Sequence, residues 1–401
     1  MNVLALNCGS SSVKFRLLAV EPGTPATAAR VLAGGAIERL GPQARATFER
    51  EGRAEEAHEP IVDHAEAVGH VLGWLAKHAP DIDAVGHRVV HGGGRFTAPT
   101  PIDDAVVEAV EGLEQLAPLH NRPSLAGIRA CRAALKPTVP MVAVFDTAFH
   151  ARLPEHAAHY AIPWELARRH GIRRFGFHGI SYAWATARAA TLLARATDDV
   201  RLVVLHLGNG ASAAAIRGGA SVETSMGLTP LEGLVMGTRS GDVDPALIGY
   251  LVRAEGANVA EVEGWLNERS GLAGLAGGSG DVRDLLARER DDARARLALE
   301  VFCHRARKYL GAYLAVLEGA DAVVFTGGIG THQPEIRRRV AGGFDWCGLS
   351  LDDDRNTATL GEGVISADRS TIRALVITAD EERIIAHETA ACLARAGAGR
   401  S

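Results

Sequence analysis

Two arginines and an aspartate lie in sequence contexts where a role in ligand binding accounts for them better than packing does. Arg88 interrupts the apolar run of "GHRVVHGGGRF", where a guanidinium calls for an anionic partner unless the strand lies at a sheet edge. Arg239 lies in the glycine-rich stretch "MGTRSGDVDP", and such loops rarely need an arginine for packing. Asp146 follows the apolar run of "VPMVAVFDTAFH", at a strand end where α/β proteins often present site groups. Together these residues indicate a site for an anionic ligand.

Two stretches roughly 200 residues apart share one plan, in which an apolar strand leads to Asn and Gly beside Ser and a second strand follows at once. They are "VLALNCGSSSVKFRLL" (3–18) and "VVLHLGNGASAAAIRG" (203–218). Each predicts a hairpin whose tip offers backbone N–H groups, and hydroxyls in the first, to an anion such as phosphate. For the first stretch alone, an ordinary solvated hairpin is the competing interpretation. The repetition predicts two related halves, with a phosphate chain held by both tips in the cleft between them.

A third glycine-rich stretch, "FTGGIG" (325–330), would let the backbone approach a ligand from the second half. The chain contains no GxxxxGK(S/T) sequence, which disfavours a P-loop nucleotide hydrolase. The hairpin tips are therefore the predicted phosphate-binding elements.

Short apolar runs alternate with longer periodic stretches, which is the pattern of an α/β protein. Thr100 and Pro101 are expected to open a helix, with the threonine as its cap. Residues 282–318 carry one long helical pattern that leads into a strand at 321. No function is assigned to residues 21–60. A length of 401 residues predicts two or three domains, with a boundary near residue 150.

The composition disfavours several classes of protein. A net charge of −5 argues against a general nucleic-acid binder, for which a basic domain is expected. The N-terminus lacks a signal-type segment and no apolar run is long enough to span a bilayer, so the cytoplasm is the expected location. The five cysteines are scattered singly, without the spacing of a zinc or redox site, and are interpreted as buried thiols.

Further polar residues lie in predicted loops or at helix starts, and each has a structural alternative. His120 in "APLHNRP" and His178 in "FGFHGIS" are candidate site residues, although a lone histidine is more often structural. Asp281 and Arg283 in "GGSGDVRD" are candidates for an anion or ribose site, or for a simple helix N-cap. The acidic run Asp380–Glu382 is a candidate Mg²⁺ cluster, and the helix macrodipole explains it equally well.

Taken in order, these motifs resemble the acetate kinase family over nearly the whole chain. The matching stretches are "NCGSSSVKF", "GHRVVHGG", "PLHN", "FDTAFH", "GFHGISY", "HLGNGAS", "MGTRSGDVDP", "FTGGIG" and "EERIIA". The family's fold is similar to that of actin, Hsp70 and sugar kinases. The resemblance implies an α/β protein of two duplicated actin/ribonuclease-H-like domains that flank an active-site cleft. Residues 1–150 with the C-terminal helix 384–401 would form the N-terminal lobe, and residues 151–383 the C-terminal lobe for nucleotide binding and dimerisation.

The resemblance also implies a role for each matching residue. The implied catalytic residues are Asp146, Arg88, Arg239 and His178, the last as a hydrogen-bond donor to the transition state. The implied substrate-binding residues are Arg88 and His120, with Val90, Leu119 and Pro230 around the acyl methyl group. The implied nucleotide-binding residues are Ser10, Ser12, Lys14, His206, Asn209, Gly210, Asp281, Arg283 and Gly328. The implied metal-binding residues are Asn7 and Glu381, for Mg²⁺ or Mn²⁺.

Three stretches depart from the family's usual pattern. Thr331 and His332 follow "GIG" where Glu-Asn is usual, which leaves the nucleotide base preference open. Asp380 stands in place of the usual Asn and adds a carboxylate beside the metal position. Gly94 replaces a residue that is commonly polar.

The resemblance implies a Mg²⁺-dependent, reversible, direct in-line transfer between ATP and acetate that gives acetyl phosphate and ADP, carried out by a homodimer. A carboxylate acceptor is already deprotonated at neutral pH, so no general base is required. Asp146 is therefore expected to orient Mg²⁺ or an arginine. Two alternatives stay open from the residues: a propionate or butyrate kinase, and a nucleotide-dependent regulatory or binding protein of the same fold.

Overall fold

A computed structural model describes residues 1–114 and 118–398, with the backbone alone for residues 118–120. Its strands are, in chain order, β1 (Asn2–Cys8), β2 (Ser12–Ala19), β3 (Arg30–Glu38), β4 (Gly41–Arg50), β5 (Arg53–Ile61), β6 (Ala84–Val89), β7 (Thr100–Pro101), β8 (Met141–Phe145), β9 (Arg201–Leu207), β10 (Ala211–Arg217), β11 (Ala220–Thr224), β12 (Ala322–Thr326), β13 (Gly363–Val364) and β14 (Arg373–Val376). Its helices are α1 (His64–His78), α2 (Asp104–Gly112), α3 (Pro118–Ala134), α4 (Glu155–Ala158), α5 (Trp164–His170), α6 (Gly179–Leu192), α7 (Ala246–Glu255), α8 (Val259–Glu268), α9 (Gly271–Ala276), α10 (Val282–Arg288), α11 (Ala293–Val316), α12 (Gly327–His332), α13 (Pro334–Ala341), α14 (Asp353–Ala358) and α15 (Glu381–Ala398).

The strands form two mixed sheets that share a five-strand plan. The first sheet has the order β5-β4-β3-β2-β1-β6-β8-β7, and the second has the order β11-β10-β9-β12-β14-β13. In the first, β1, β6 and β8 are parallel, β2 pairs antiparallel with β1, and β3 pairs antiparallel with β2. In the second, β9, β12 and β14 are parallel and β10 and β11 take the antiparallel places. The α/β class and the duplication predicted from the repeated hairpins are confirmed.

Both predicted hairpins are present. β1 and β2 pair from Asn2 with Ala19 to Cys8 with Val13, and the Gly9 N–H closes the turn by donating to the Ser12 carbonyl oxygen at 2.8 Å. β9 and β10 pair up to Leu207 with Ala211, which leaves residues 208–210 as the tip. Apolar residues on both sides of each turn pack into a core, so the polar tip is what remains at the edge.

The chain divides into two compact units. The first contains Met1–Ala151, Phe177–Ile180 and the segment from Asp380 onward, and the second contains Arg152–Gly176 and Ser181–Ala379. The predicted division, near residues 150 and 384, placed the segment Phe177–Ile180 in the second lobe. In the structure this segment belongs to the first unit. The roles expected of the second unit, nucleotide binding and dimerisation, stay predictions.

The first unit is built on the sheet around β1. Leu4 and Leu6 of β1 pack with Phe15 of β2 and with Val68 and Val71 of α1 in one buried cluster. Residues 21–60 largely extend this sheet as β3, β4 and β5. In the second unit β12 is buried along its whole length, as expected of a parallel strand covered on both faces.

Two helix predictions were wrong, one in its starting point and one in its continuity. Thr100 and Pro101 form the short edge strand β7 opposite β8, and α2 begins at Asp104 because the Asp103 carboxylate accepts the Val106 N–H at 2.8 Å. Proline is tolerated on an edge strand because its missing N–H is not needed there.

The long helix predicted over residues 282–318 is two helices. α10 ends at Arg288 and α11 begins at Ala293. The Asp292 carboxylate accepts the backbone N–H groups of Arg294 and Ala295, so it caps a new helix and breaks the periodic pattern. Within the part of the chain that the structure describes, no helix has the length and apolar character needed to cross a membrane.

We predict that His87 makes the first unit sensitive to acid. His87 lies on β6 with 1% exposure, and its Nε2 atom has no hydrogen-bond partner among the described residues. Burial, with a smaller contribution from Arg132, lowers the pKa of His87 to about 3. The unfolded chain takes up this proton near pH 6.5 and the folded chain does not, so stability falls as the pH drops from about 6.5 toward 3, by about 1.4 kcal/mol per pH unit.

His87→Leu should therefore flatten the decline of the unfolding free energy between pH 6 and 4, measured by urea unfolding at several pH values. The same substitution at the exposed His170 should leave the decline unchanged. A His87→Leu protein with the wild-type slope contradicts the prediction.

Candidate functional site

The site residues of the first unit lie where parallel strands end. Asn7 is the penultimate residue of β1, Arg88 is the penultimate residue of β6, and Asp146 follows the last residue of β8. These three strands are parallel neighbours in the order β1-β6-β8, so their carboxyl ends meet at one edge of the sheet. The sequence prediction of a strand-end position for Asp146 is confirmed.

Arg88 and Asp146 form a buried ion pair at this edge. Arg88 Nη2 donates to Asp146 Oδ2 at 2.5 Å, and its Nε lies 3.2 Å and 3.3 Å from the two carboxylate oxygens. The Asp146 side chain has no exposed surface and that of Arg88 is 14% exposed. Arg88 Nη1 also donates to Asn7 Oδ1 at 3.0 Å. The guanidinium is therefore fixed on two sides.

The charges of the pair depend on each other. Burial disfavours the charged form of Arg88, but the carboxylates of Asp146 and Glu381 more than offset this and raise its pKa above the ordinary value. Burial raises the pKa of the Asp146 carboxyl, and the guanidinium of Arg88 counteracts the effect. The Asp146 carboxylate is thus enclosed and engaged by an arginine.

Glu381 adds a second carboxylate to this cluster. It opens α15, accepts from Asn7 Nδ2 at 2.8 Å and lies 3.7 Å from Arg88 Nε. The cluster thus holds two carboxylates against one guanidinium, together with an amide oxygen, so a cation is electrostatically favoured. Among the described residues no three His, Cys, Asp or Glu side chains converge as a complete metal site. This partial set of oxygen donors suits Mg²⁺, which keeps several waters and takes its other ligands from phosphates.

Asp380 has a different role from the one its position suggests. Its Oδ2 atom accepts from Arg16 Nη1 at 2.6 Å and from Arg383 Nε at 3.0 Å. Two arginines thus occupy one of its oxygens, and the carboxylate ties β2 to the first turn of α15. The additional carboxylate beside Glu381 is accounted for by this link.

His178 lies in a strained backbone conformation beside Asp146. Its φ of +57° falls in the left-handed region that non-glycine residues seldom adopt. The next residue must be glycine, because a Cβ on Gly179 would lie 1.9 Å from the Asp146 carbonyl oxygen. The Ile180 backbone N–H bonds to Asp146 and stabilises its ionised form. Sequence reasoning missed Gly179 and Ile180; the glycine after His178 was the available signal.

The second unit presents Arg239 without a carboxylate. Arg239 Nη1 donates to the Pro230 carbonyl oxygen at 2.6 Å. Burial alone lowers the pKa of Arg239 to about 10, so the group stays charged at neutral pH. Within residues 1–114 and 118–398, no acidic side chain pairs with it. A largely enclosed guanidinium that bonds a neutral carbonyl has capacity left for an external anion.

Hydrogen bonds between Gly233 and Asp242 join the two ends of the loop that carries Arg239. Gly233 N–H donates to Asp242 Oδ1 at 2.8 Å, and Asp242 N–H returns a bond to the Gly233 carbonyl at 3.0 Å. Tyr309 donates to Asp242 Oδ2 at 2.9 Å, and Arg305 Nη1 donates to the backbone carbonyls of Gly233 and Asp242. The sequence marked Asp242 only as part of a motif, since its partners lie about 65 residues away.

The second hairpin and the "GIG" stretch lie at one edge of the second sheet. Asn209 is at the hairpin tip, where its carbonyl accepts the Gly237 N–H at 2.9 Å. His206 bonds the Ser181 hydroxyl through Nδ1 at 2.8 Å. A Cβ on Gly208 would lie 4.0 Å from the Gly328 backbone nitrogen. The structure therefore brings the tip at Asn209 and Gly210 close to Gly328.

The remaining predicted nucleotide residues have plain structural surroundings. Asp281 caps α10 by accepting the Arg283 N–H at 2.8 Å and pairs with the Arg283 side chain at 2.6 Å. The N-cap interpretation of Asp281 is thus confirmed. On the first hairpin Ser10 and Lys14 are exposed and Ser12 is half-buried.

The predicted acyl pocket is only partly described. Val90 is buried with 3% exposure, and Pro230 is half-buried in the second unit. The side chains of Leu119 and His120 lie outside the described residues. Gly94 stands in open space, so a larger residue would fit there. Sequence reasoning missed Asn121, whose amide exchanges two hydrogen bonds with the His91 backbone.

Comparison with known proteins gives the family. The sequence profile of the acetokinase family matches residues 2–387. The acetate kinase of Solibacter usitatus is 48% identical over 407 residues, 98% of each chain, and that of Streptomyces coelicolor is 47% identical over 406 residues, again 98% of each. A solved acetate kinase from Porphyromonas gingivalis matches with 40% identity and a TM-score of 0.86, covering 98% of this chain and 99% of the other. A solved propionate kinase from Francisella tularensis matches with 38% identity and a TM-score of 0.88, covering 97% and 98%. This chain belongs to the acetokinase family.

We predict that Asp146→Asn lowers the free energy of unfolding by about 3 kcal/mol, because it leaves the Arg88 charge enclosed without its main partner. Denaturant unfolding of this variant, of Arg88→Met and of the double variant should show strong coupling, the double variant losing clearly less than the sum. Asp321→Asn is a matched control, since Asp321 also pairs with an arginine and accepts a backbone N–H. It lies directly before β12, at the amino end of that strand, whereas Asp146 lies at the carboxyl end of β8. Additive losses would contradict the prediction.

Proposed function

We propose that this protein is an acetate kinase, which transfers the γ-phosphoryl group of ATP to acetate and runs readily in reverse. The observation that carries the proposal is the likeness over 98% of the chain to proteins named acetate kinase, at 47–48% identity. The geometry adds a physical reason: Arg239 is a charged group with no described carboxylate partner, so an incoming phosphoryl group meets no competing anion.

The proposed mechanism is alignment with charge stabilisation. Phosphoryl transfer needs donor and acceptor in line and cations against the charge on the transferring oxygens. Arg239 and Arg88 are the proposed cations, for the phosphoryl group and the substrate carboxylate, and His178 is the proposed hydrogen-bond donor. Asp146 holds Arg88 in place and takes no proton, because the acceptor carboxylate is already ionised.

Magnesium is part of the proposal. Glu381 would hold the ion and Asn7 would support it, since these two side chains bond each other at the charged cluster. When bound, the ion would neutralise phosphate charge. Asp380 would act on the ion only indirectly, through the first turn of α15 that also carries Glu381.

The nucleotide is proposed to lie along the two hairpin tips. Ser10, Ser12 and Lys14 would serve the phosphates from the first hairpin. The proposed contacts of the second unit are His206, Asn209, Gly210, Asp281, Arg283 and Gly328. Support comes from the tip position of Asn209 and the nearby Gly328 nitrogen at the same sheet edge.

A propionate kinase is the second candidate. The solved propionate kinase has a TM-score of 0.88 to this chain, as high as that of the acetate kinase. One methylene in an apolar pocket is worth about 1 to 3 kcal/mol, so the two substrates differ by a limited factor. Val90 and Pro230 are the described residues proposed to set this preference.

A cytoplasmic homodimer completes the proposal. All five cysteines are free thiols, as expected in a reducing compartment. The second unit exposes the large apolar side chains of Tyr250, Val259 and Trp346, by 60%, 55% and 80%. Such side chains suit contact with a second copy of the chain.

The test of the proposed function is to trap acyl phosphate with hydroxylamine in the presence of Mg-ATP and acetate, propionate, butyrate or no acid. We expect the strongest signal with acetate. A stronger signal with propionate would select the second candidate. ATP consumption that does not depend on any acid would contradict both and favour a nucleotide-dependent regulator.

Arg239→Ala should lower acetate-dependent turnover by on the order of 10² or more, because a preorganised charge at the transition state is lost. Arg217→Ala is the matched control, since Arg217 is an exposed arginine at the end of β10. Turnover and thermal unfolding should be measured on both. Near wild-type turnover of a folded Arg239→Ala protein would show that the assignment of Arg239 is wrong.

A further inference from the structure

We propose that Tyr160 and Glu232 are positioning residues that set the orientation of Arg239 and the acyl-group preference, by fixing the loop of residues 226–232, here called the Pro230 loop. The inference rests on the proposed function, whose transferred phosphoryl group Arg239 would bind. All residues concerned belong to the second unit.

The orientation of Arg239 depends on where the Pro230 carbonyl lies. Arg239 Nη1 donates to that carbonyl oxygen at 2.6 Å, and no carboxylate in the described chain competes for the guanidinium. A shift of the carbonyl would therefore move the guanidinium with it. Pro230 is also a proposed wall of the acyl pocket, so one loop affects both the charge and the apolar contact.

The central part of the Pro230 loop is only partly packed. Every residue from Leu228 to Glu232 is half-buried, and the segment forms neither helix nor strand. Polar contacts are directional and can hold such a partly solvated loop in a single arrangement.

One hydroxyl joins the two sides of the loop. Tyr160 Oη accepts the Leu228 N–H at 2.9 Å and donates to Glu232 Oε2 at 2.5 Å. These partners stand two residues before and two residues after Pro230. The Tyr160 hydroxyl therefore closes a small ring of chain whose apex is the carbonyl that holds Arg239.

Arg174 contacts both Glu232, the partner of this hydroxyl, and the backbone where the Pro230 loop begins. Its Nη2 donates to Glu232 Oε1 at 2.7 Å, and its Nη1 donates to the carbonyls of Ser225 and Met226 at 3.3 Å and 3.2 Å. Its guanidinium also lies over the Tyr160 ring, 5.4 Å from the centroid. The Glu232 carboxylate is thus oriented by a charged partner on one oxygen and by Tyr160 on the other.

Gly227 shows how closely this arrangement is packed. A Cβ at this position would lie 1.9 Å from Glu232 Oε2 and 2.0 Å from Tyr160 Oη. The backbone must pass directly over the hydroxyl–carboxylate bond, which only glycine permits. The bond and the path of the loop therefore depend on each other.

The test is Tyr160→Phe, which keeps the ring beneath Arg174 and removes only the hydroxyl. The control is Ser350→Ala, because Ser350 Oγ donates to Asp345 Oδ1 at 2.5 Å in another part of the same unit. Acyl phosphate formation should be measured for both variants with acetate and with propionate, and for Tyr160→Phe in the wild-type and Arg239→Ala backgrounds.

We expect Tyr160→Phe to lower kcat/KM for acetate about tenfold, and to lower the acetate-to-propionate ratio about threefold or more because the acyl wall loosens. In the Arg239→Ala background the loss should shrink to less than about twofold, because the group being positioned is gone. Ser350→Ala should change neither quantity.

Equal losses for both acids, or the same loss in both backgrounds, would overturn the positioning role and leave Tyr160 a structural residue. If Tyr160→Phe has wild-type kinetics while the wild-type protein forms acyl phosphate, the inference fails and the proposed function stands. If the wild-type protein forms no acyl phosphate, both fail together.

Discussion

The buried guanidinium of Arg88 is the group on which the first unit's site depends. A charge at 14% exposure is costly to enclose, and the fold meets that cost by ending the two strands on either side of β6 in polar residues that contact it. Asp146 supplies the opposite charge and Asn7 supplies an amide oxygen. The position of Glu381 follows, because Asn7 turns its amide N–H to that carboxylate. Removing one member would take a partner from at least one of the others, so the cluster acts as a unit.

The two proposed active-site arginines differ in how their charge is balanced. Arg88 is neutralised within its own unit and is rigid, whereas Arg239 bonds only a neutral carbonyl among its described partners. A rigid, neutralised arginine can orient a substrate, and an uncompensated one gains from a ligand that brings negative charge. Electrostatic stabilisation works best when such groups are fixed in advance. The hydrogen bond between Gly233 and Asp242 and the hydroxyl of Tyr160 provide that fixation around Arg239.

Local patterns predicted a large part of the fold. Both hairpins, the duplication and the strand-end position of Asp146 followed from apolar runs that end in small or polar residues. The helix start at Thr100 and the single continuous helix over 282–318 were wrong, because edge pairing in one case and the Asp292 cap in the other overrode the local pattern. In the site, charged residues in unusual settings could be recognised singly. Their partners could not, since Tyr160 and Glu232 are 72 residues apart and meet only in the folded chain.

Arg239 is proposed to hold the transferred phosphoryl group through its uncompensated charge. The most direct measurement is calorimetric titration of acetyl phosphate, without nucleotide, into the wild-type protein and into Arg239→Gln at two salt concentrations. We expect the variant to bind at least about tenfold more weakly, and the wild-type affinity to fall with salt more steeply than that of the variant. Equal affinities with equal salt dependence would contradict it.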